Sequence, residues 1–186
     1  MILRAGKTFI RPLEISDAAE MLEVRIHNAE WLAAFEPLRT IDFLTLGAQE
    51  REVRRGLDDS AADRAYPFGI FATGDGHLIG RVALSNVVRG AWQNATLGYF
   101  VDRASNGLGH CTEAVGLVLR FAFESARLHR VQAAAMLTNA ASARVLEKNG
   151  FLLEGISPNY LKINGRWEDH KVFAITAERW PAAPSW

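Results

Sequence analysis

Residues 94–137 read NATLGYFVDRASNGLGHCTEAVGLVLRFAFESARLHRVQAAAML. The apolar pattern at 94–101 predicts a strand, the stretch after the following loop predicts a long helix, and the apolar run at 131–137 predicts another strand. The loop before the helix carries Gly107 and Gly109. A helix N-terminus presents unpaired backbone N–H groups and about half a positive charge, and glycines there let an anion approach closely. The unit formed by these two strands, the loop and the helix is therefore a candidate anion-binding site.

The sequence of the loop does not match either of two common phosphate-binding motifs. It contains no Gly-Lys-Ser or Gly-Lys-Thr, so a P-loop would lack its lysine and its magnesium ligand. Thr112 stands where the dinucleotide-binding fingerprint has its third glycine, so that fingerprint is incomplete. Two glycines alone fit a phosphate site and a tight strand-to-helix turn equally well.

Before this unit, the sequence predicts a short edge strand, two or three helices and a hairpin. Ser16 is a candidate N-cap of the first helix, whose apolar stripe would be Ala19, Leu22 and Ile26. The hairpin is indicated by Gly74-Asp75-Gly76. The other predicted elements are an edge strand at 8–13 that stops at proline, an aromatic segment at 28–37, a helix at 45–57, and strands at 68–73 and 77–87.

After this unit, the sequence predicts one more helix and a second hairpin. The helix spans 140–149 and is closed by Gly150. Two strands then flank Asn164-Gly165, the dipeptide preferred in a type I′ turn. Residues 181–186 are expected to form a frayed tail. All the elements together predict a mixed α/β fold with a sheet at its centre.

Length and composition limit the class of protein. The chain has 186 residues and 20.6 kDa, the size of one domain. Its 21 basic and 21 acidic side chains cancel, which argues against direct nucleic-acid binding and against an anionic membrane surface. The single cysteine, Cys111, excludes an internal disulfide and a cysteine-rich metal site. The N-terminus lacks a secretory apolar core, and no apolar run approaches the roughly 20 residues of a membrane span, so we expect a cytoplasmic protein without a metal.

Five separated motifs, taken in order, resemble the Gcn5-related N-acetyltransferase (GNAT) superfamily. Within it, the chain is most similar to the bacterial enzymes that acetylate the N-terminal alanine or serine of ribosomal proteins. The resemblance spans residues 8–177, which implies a single N-acetyltransferase domain followed by a tail at 178–186. It also implies a largely antiparallel central sheet that is splayed at the acetyl-CoA site, with helices on both faces. The motifs are Asn28 to Pro37, Gly98-Tyr99 with the loop Asn106 to Cys111, Asn139 to Ser142, Glu147 to Phe151, and Tyr160 to His170.

The resemblance assigns part of the chain to acetyl-CoA. Backbone amides of residues 108–112 would hold the pyrophosphate. The backbone of Phe100 and Val101 would pair with the pantetheine arm like an added strand, and Asn139 would bond a pantetheine amide. The residues implied to contact acetyl-CoA are Phe100, Val101, Asn106, Gly107, Leu108, Gly109, His110, Cys111, Thr112 and Asn139.

Two residues of the loop depart from the family pattern, which usually opens with Gln or Arg and ends with Gly or Ala. Asn106 has a shorter side-chain amide, so one phosphate contact would be lost. Cys111 is small enough to allow the backbone approach. Its side chain is either a small buried group under the loop or a reactive thiol.

Acetyl transfer requires a neutral amine, stabilisation of a tetrahedral oxyanion and a proton for the departing thiolate. Many family members supply that proton from a tyrosine, and this chain has Leu146 at the corresponding position. Ser142, one helical turn from Asn139, is the nearest hydroxyl that could replace the tyrosine, as in related terminal acetylases. The alternative is an ordinary serine near a helix start that bonds to the backbone.

The sequence offers no carboxylate where the family keeps a general base. Thr96 and Leu97 occupy the central strand, and Leu161 stands where close relatives can have a glutamate before the final hairpin. An α-amine with a pKa of about 7.7 to 8.0 is partly neutral at pH 7, whereas a lysine with a pKa of about 10.4 is almost wholly protonated. The missing base therefore favours an α-amine acceptor over a lysine.

Trp31, Phe35 and Glu36 lie where the family builds the acceptor side of its groove. The two aromatic residues are spaced i, i+4, so they fit an ordinary packed pair as well as an acceptor wall. Glu36 could pair with a cationic amine or be a solvated charge before Pro37.

The resulting prediction is an acetyl-CoA-dependent N-acetyltransferase whose acceptor is a protein or peptide N-terminus, present as a monomer or a homodimer. One rival is an acetyltransferase for a small-molecule amine, such as an antibiotic or an amino acid. Another is a non-catalytic acetyl-CoA-binding module, because the tyrosine and base positions are vacant.

Overall fold

The computed structural model describes residues 1–180, and the predicted tail at 181–186 lies outside the described residues. The chain forms one eight-stranded sheet in the order β1-β2-β3-β4-β5-β6-β8-β7. β5 and β6 are parallel, and every other neighbouring pair is antiparallel. The strands are β1 (Leu3–Ala5), β2 (Thr8–Pro12), β3 (Tyr66–Ala72), β4 (Leu78–Val88), β5 (Asn94–Val101), β6 (Arg130–Met136), β7 (Leu152–Ile163) and β8 (Arg166–Thr176). The helices are α1 (Ala18–His27), α2 (Ala29–Ala33), α3 (Leu46–Ala61), α4 (His110–Arg120) and α5 (Ala140–Lys148).

The predicted mixed α/β fold and the long helix after the glycine loop are both confirmed. α4 continues through a π-helical turn at Phe121–Ser125, and its predicted buried face is inside the core. That face consists of Val115, Val118, Leu119, Ala122 and Phe123. It packs with apolar residues of the central strands, while a smaller cluster under α1 and α3 covers the opposite side of the sheet.

The sequence-based prediction missed the first strand. β1 pairs with β2 across a turn at Gly6, whose φ is +50°. β2 is therefore an inner strand, and its predicted edge position is wrong. Three residues are too short to show the period-2 alternation from which strands are recognised.

The predicted apolar stripe of α1 is also wrong by one position. Ala18, Met21 and Arg25 are buried, whereas Ala19 and Ile26 are exposed. A 3-10 turn at 15–17 precedes the helix, so Ser16 is not its N-cap. The buried face includes an arginine, which hydrophobic periodicity assigns to the solvent side.

Both predicted hairpins form. Asn164 and Gly165 have φ values of +44° and +80°, as a type I′ turn requires. Gly76 closes the other hairpin with a φ of +78°. Asn164 N–H also donates to the backbone oxygen of Glu36 at 2.9 Å, which ties the final hairpin to the segment after α2.

The sheet opens in its middle. β5 pairs with β6 only from Asn94 to Leu97, which lie opposite 130–133. Beyond Leu97, β5 pairs with β4 alone, and the rest of β6 pairs with β8. The backbone of 98–101 therefore has a free edge beside the glycine loop, as the predicted splay requires.

Candidate active site

A cleft of about 660 Å³ lies where β5 and β6 part. We call it the active-site cleft. Most of the predicted site residues line it: Trp31, Phe35, Glu36, Phe100, Val101, Asn106, Gly107, Gly109, Cys111, Thr112, Asn139 and Ser142. Leu108 and His110 do not, because Leu108 faces solvent and the buried ring of His110 turns to Thr8, with Nδ1 2.9 Å from the Thr8 hydroxyl.

The glycine loop has the geometry of an anion cradle. Gly107 and Gly109 have φ values of +75° and +93°, in the left-handed region that other residues avoid. Gly109 precedes α4, and no side chain caps that helix. The first-turn N–H groups, including those of Cys111 and Thr112 beside the cleft, are therefore free of side-chain acceptors and open to a phosphate.

Cys111 is half-buried and packs against the main core. Burial raises the pKa of its thiol to about 12, so the thiol stays protonated at neutral pH. These properties favour the small packed residue over the reactive thiol.

Asn139 caps α5. Its Oδ1 accepts from Ser142 N–H at 3.0 Å, which fixes the side-chain amide at the mouth of the cleft. Among residues 1–180, its Nδ2 has no hydrogen-bond partner. The amide can therefore donate to a ligand carbonyl while it continues to hold the helix start.

Ser142 is held by a tyrosine that the sequence analysis did not select. The hydroxyl of Tyr99 donates to the backbone oxygen of Ser142 at 3.1 Å, and it lies 3.0 Å from Ser142 Oγ. With its proton directed at the carbonyl, the phenol oxygen can accept from the serine hydroxyl. Burial raises the pKa of Tyr99, although the Ser142 hydrogen bond opposes this, so the phenol remains neutral.

Glu36 is neither a solvated charge nor a free carboxylate. Its Oε1 accepts from Arg25 at 2.6 Å and its Oε2 from Arg39 at 3.0 Å. Burial alone would raise the pKa of Glu36, but the charge and hydrogen bond of Arg25 lower it, with help from Arg39. Within the described cleft lining, Glu36 is the only carboxylate, and as a doubly paired, weakly basic group it is a poor proton acceptor.

Trp31 and Phe35 pack edge to face, with ring centroids 5.8 Å apart, and both also line the cleft. The packed pair and the acceptor wall predicted as alternatives are therefore compatible.

The model of the acetyltransferase (GNAT) domain matches residues 7–152 of this chain. The chain belongs to the GNAT family. Among curated relatives, the probable N-acetyltransferase YjcK of Bacillus subtilis is 46% identical over 171 residues, which are 91% of this chain and 94% of YjcK. The enzyme is therefore an N-acetyltransferase.

Two solved structures are similar to this N-acetyltransferase over almost its whole length. The ribosomal-protein-S5-alanine acetyltransferase of Vibrio fischeri superposes with a TM-score of 0.91 at 29% identity, covering 97% of this chain and 98% of that one. RimJ of Mycobacterium smegmatis, in complex with CoA-disulfide, superposes with a TM-score of 0.90 at 32% identity, covering 97% and 88%.

Residues 1–180 hold no group of three or more His, Cys, Asp or Glu side chains able to bind a metal ion. No helix in that range is long and apolar enough to cross a membrane.

The N-acetyltransferase has two further cations in its cleft that sequence reasoning overlooked. Arg144 and Lys148 stand one turn apart on α5 and both line the cleft. Neither forms an ion pair with an acidic side chain in residues 1–180. Their i, i+4 spacing beside Asn139 was a visible signal, because residues four apart share one face of a helix.

Proposed function

We propose that the protein transfers the acetyl group of acetyl-CoA to the N-terminal α-amine of a protein, and that ribosomal proteins are the first class of acceptor to test. One observation carries the proposal: Glu36, the only carboxylate in the described lining of the cleft, is already paired with two arginines, so that lining offers no free general base. Such a site suits an amine that needs little help to lose its proton.

The pKa difference between the two kinds of amine supports this choice. An α-amine and a lysine differ by about 2.5 pKa units, which corresponds to about 3 to 4 kcal/mol of deprotonation. A general base contributes about 10²- to 10⁴-fold in rate, so without one the acetylation of a lysine would be slow. An α-amine is partly neutral at pH 7 already, so it can lose its proton to solvent without a general base.

Several groups in the cleft fit acetyl-CoA. The amides of the glycine loop would hold its pyrophosphate, the free edge of β5 would offer backbone partners to pantetheine, and the N–H group of Asn139 Nδ2 would be available to a pantetheine carbonyl. Arg144 and Lys148 add two positive charges for the phosphates. When bound, acetyl-CoA supplies the activated acetyl thioester, and the whole unit at 8–177 serves as one N-acetyltransferase domain.

Ser142 and Tyr99 form the proton-donating side of the site. Ser142 Oγ would give its proton to the thiolate sulfur as the C–S bond of the thioester breaks, and would regain one, through solvent, from the ammonium group that forms when the amine attacks. The Tyr99 hydroxyl lies 3.0 Å from Ser142 Oγ, so it can turn its proton from the carbonyl to the serine oxygen and stabilise that oxygen as the serine proton leaves. Because the pKa of Tyr99 is raised, its phenol keeps its proton and can serve as a hydrogen-bond donor.

The relatives support the acceptor class. The Vibrio fischeri structure is described as a ribosomal-protein-S5-alanine acetyltransferase, and the Escherichia coli ribosomal protein uS5-alanine N-acetyltransferase is 28% identical over 178 residues. We extend that acceptor class to this chain as part of the proposal.

The test measures free thiol released from acetyl-CoA by the pure protein with peptides that begin with alanine or serine. The same peptides with a blocked N-terminus are the matched controls. We expect release only with the free N-termini. Binding of acetyl-CoA without turnover on any acceptor would overturn the catalytic proposal, and turnover on an aminoglycoside or amino acid alone would replace its acceptor.

A further inference from the structure

A second cavity, of about 310 Å³, lies between the sheet and the helices α1 and α3. It is separate from the active-site cleft, and we call it the second cavity. Its walls are mainly apolar, with Leu13, Met21, Phe43, Val53, Phe68 and Phe121 among them. Three arginines also line it, and one of them has no counter-ion.

That arginine is Arg81, on β4. Its register partners are Gly69 on β3 and Phe100 on β5, so its side chain leaves the middle of the sheet. The residue is half-buried and lines the second cavity. No acidic side chain within residues 1–180 forms an ion pair with it, and no group in that range accepts a hydrogen bond from its guanidinium.

The neighbouring charges do not compensate Arg81. Arg25 and Arg39 share the single carboxylate of Glu36. Glu52, which also lines the second cavity, is held by Arg55 at 2.6 Å. The wall therefore carries an excess of positive charge, and burial followed by the repulsion of Arg25 lowers the pKa of Arg81.

A half-buried arginine without a partner loses part of its hydration, and no carboxylate replaces the lost water. The guanidinium presents a planar fork that matches a carboxylate with two parallel hydrogen bonds. A single free guanidinium in an apolar chamber suits one carboxylate on a hydrocarbon stem better than a multiply charged phosphate.

The second cavity adjoins the acceptor side of the active site. Arg25, Arg39 and Phe43 line both the second cavity and a smaller cleft of about 260 Å³ under the segment after α2. That smaller cleft shares Leu32 and Glu36 with the active-site cleft. The smaller cleft therefore lies between the acceptor wall and the second cavity, and Arg25, Arg39 and Phe43 form the wall that it shares with the second cavity.

We infer that the second cavity is a subsite for an acidic side chain, aspartate or glutamate, that lies downstream of the acetylated residue of the acceptor. Arg81 binds the carboxylate, and the apolar walls contact its methylene groups. The inference rests on the proposed function, because it assigns the acceptor a preference beyond its first residue.

The test is a scan of alanine-initiated peptides in which one glutamate is moved from position 2 to position 6, each paired with its glutamine analogue. Peptide affinity is measured by calorimetry in the presence of CoA, and kcat/KM by thiol release. We expect one position at which glutamate improves both quantities by about tenfold or more, the gain typical of a charge-assisted hydrogen bond.

Two variants and a control assign the preference to Arg81. Arg81→Gln should remove the difference between the glutamate and glutamine peptides, and Arg81→Lys should retain part of it, because lysine keeps the charge and loses the fork. Arg54→Gln, an exposed arginine of α3 outside the second cavity, is the matched control and should retain all of it.

Equal affinity for glutamate and glutamine at every position would overturn the inference, as would a preference that survives in Arg81→Gln. If the peptides are acetylated but glutamate and glutamine peptides behave alike, the subsite is contradicted and the proposed function stands. If calorimetry shows a glutamate preference but no peptide is acetylated, the proposed function is contradicted and the subsite stands. The two failures are therefore distinguishable.

Discussion

Glu36→Gln should destabilise the protein strongly, because it removes the partner of a buried charge. Arg25 and Glu36 have only 6% and 18% of their side chains exposed, and their ion pair is 2.6 Å long. The substitution keeps the shape of the side chain and deletes its charge. The Arg25 guanidinium then stays buried over the ring of Phe100, 3.8 Å from its centroid, without a counter-ion.

Loss of one partner from a buried ion pair costs about 3 to 5 kcal/mol. The partial exposure of Glu36 places the expected loss at the lower end, about 3 kcal/mol. A protein of this size loses about 2 to 4 °C in Tm for each kcal/mol, so Tm should fall by about 6 to 12 °C. Urea unfolding gives the free energy, and a thermal melt gives Tm.

Glu154→Gln is the control, since it breaks an ion pair with Arg130 in which the carboxylate is 42% exposed. That loss should stay within about 1 kcal/mol. The pKa of Glu36 is lowered from 4.5 in the folded protein, so its stabilisation is complete above that pH and disappears as pH falls through the folded pKa. The difference in the free energy of unfolding between wild type and Glu36→Gln should therefore disappear in acid. Equal losses for the two variants, or a difference that persists in acid, would refute the reasoning.

Four further substitutions address the active-site cleft. Ser142→Ala should lower turnover about tenfold or more with little change in acetyl-CoA affinity. Tyr99→Phe should lower turnover by less, because the serine remains but the hydroxyl that can donate to its oxygen is gone. Unchanged rates in both variants would make Ser142 an ordinary helix-start residue. Gly109→Ala should lower the free energy of urea unfolding by about 1 to 2 kcal/mol and weaken acetyl-CoA binding, since a φ of +93° strains any residue with a Cβ. Gly74→Ala, in an open turn, is the control and should have neither effect. Equal behaviour of the two variants would contradict the strain at Gly109. Lys148→Gln should weaken acetyl-CoA binding about threefold at low salt and less at high salt, because the lysine is exposed and salt screens its charge. Calorimetry at two ionic strengths checks this, and a loss of affinity that does not depend on salt would contradict a phosphate contact.

Local patterns predicted the parts of the fold that depend on neighbours in the chain. The buried face of α4 follows from helical periodicity, and the turn at Asn164-Gly165 follows from the positive φ values that this dipeptide tolerates. The glycine loop was recognisable because its chemistry is concentrated in a few consecutive residues.

The missed features depend on residues that meet only in the folded chain. Arg25 reads as a surface charge until Glu36 is seen to neutralise it, so the α1 stripe was misplaced. Tyr99 and Ser142 are 43 positions apart, and their hydrogen bond depends on how α5 sits against β5. Arg81 lacks an acidic partner within residues 1–180 because of the side chains that surround it in the fold, and those side chains come from distant parts of the sequence.

The central claim is that the acceptor is an α-amine. The most direct measurement locates the acetyl group by fragmentation mass spectrometry on a peptide that begins with alanine and carries one internal lysine. We expect acetylation of the N-terminal alanine, with the lysine unmodified. Acetylation of the lysine Nζ with a free N-terminus would contradict it.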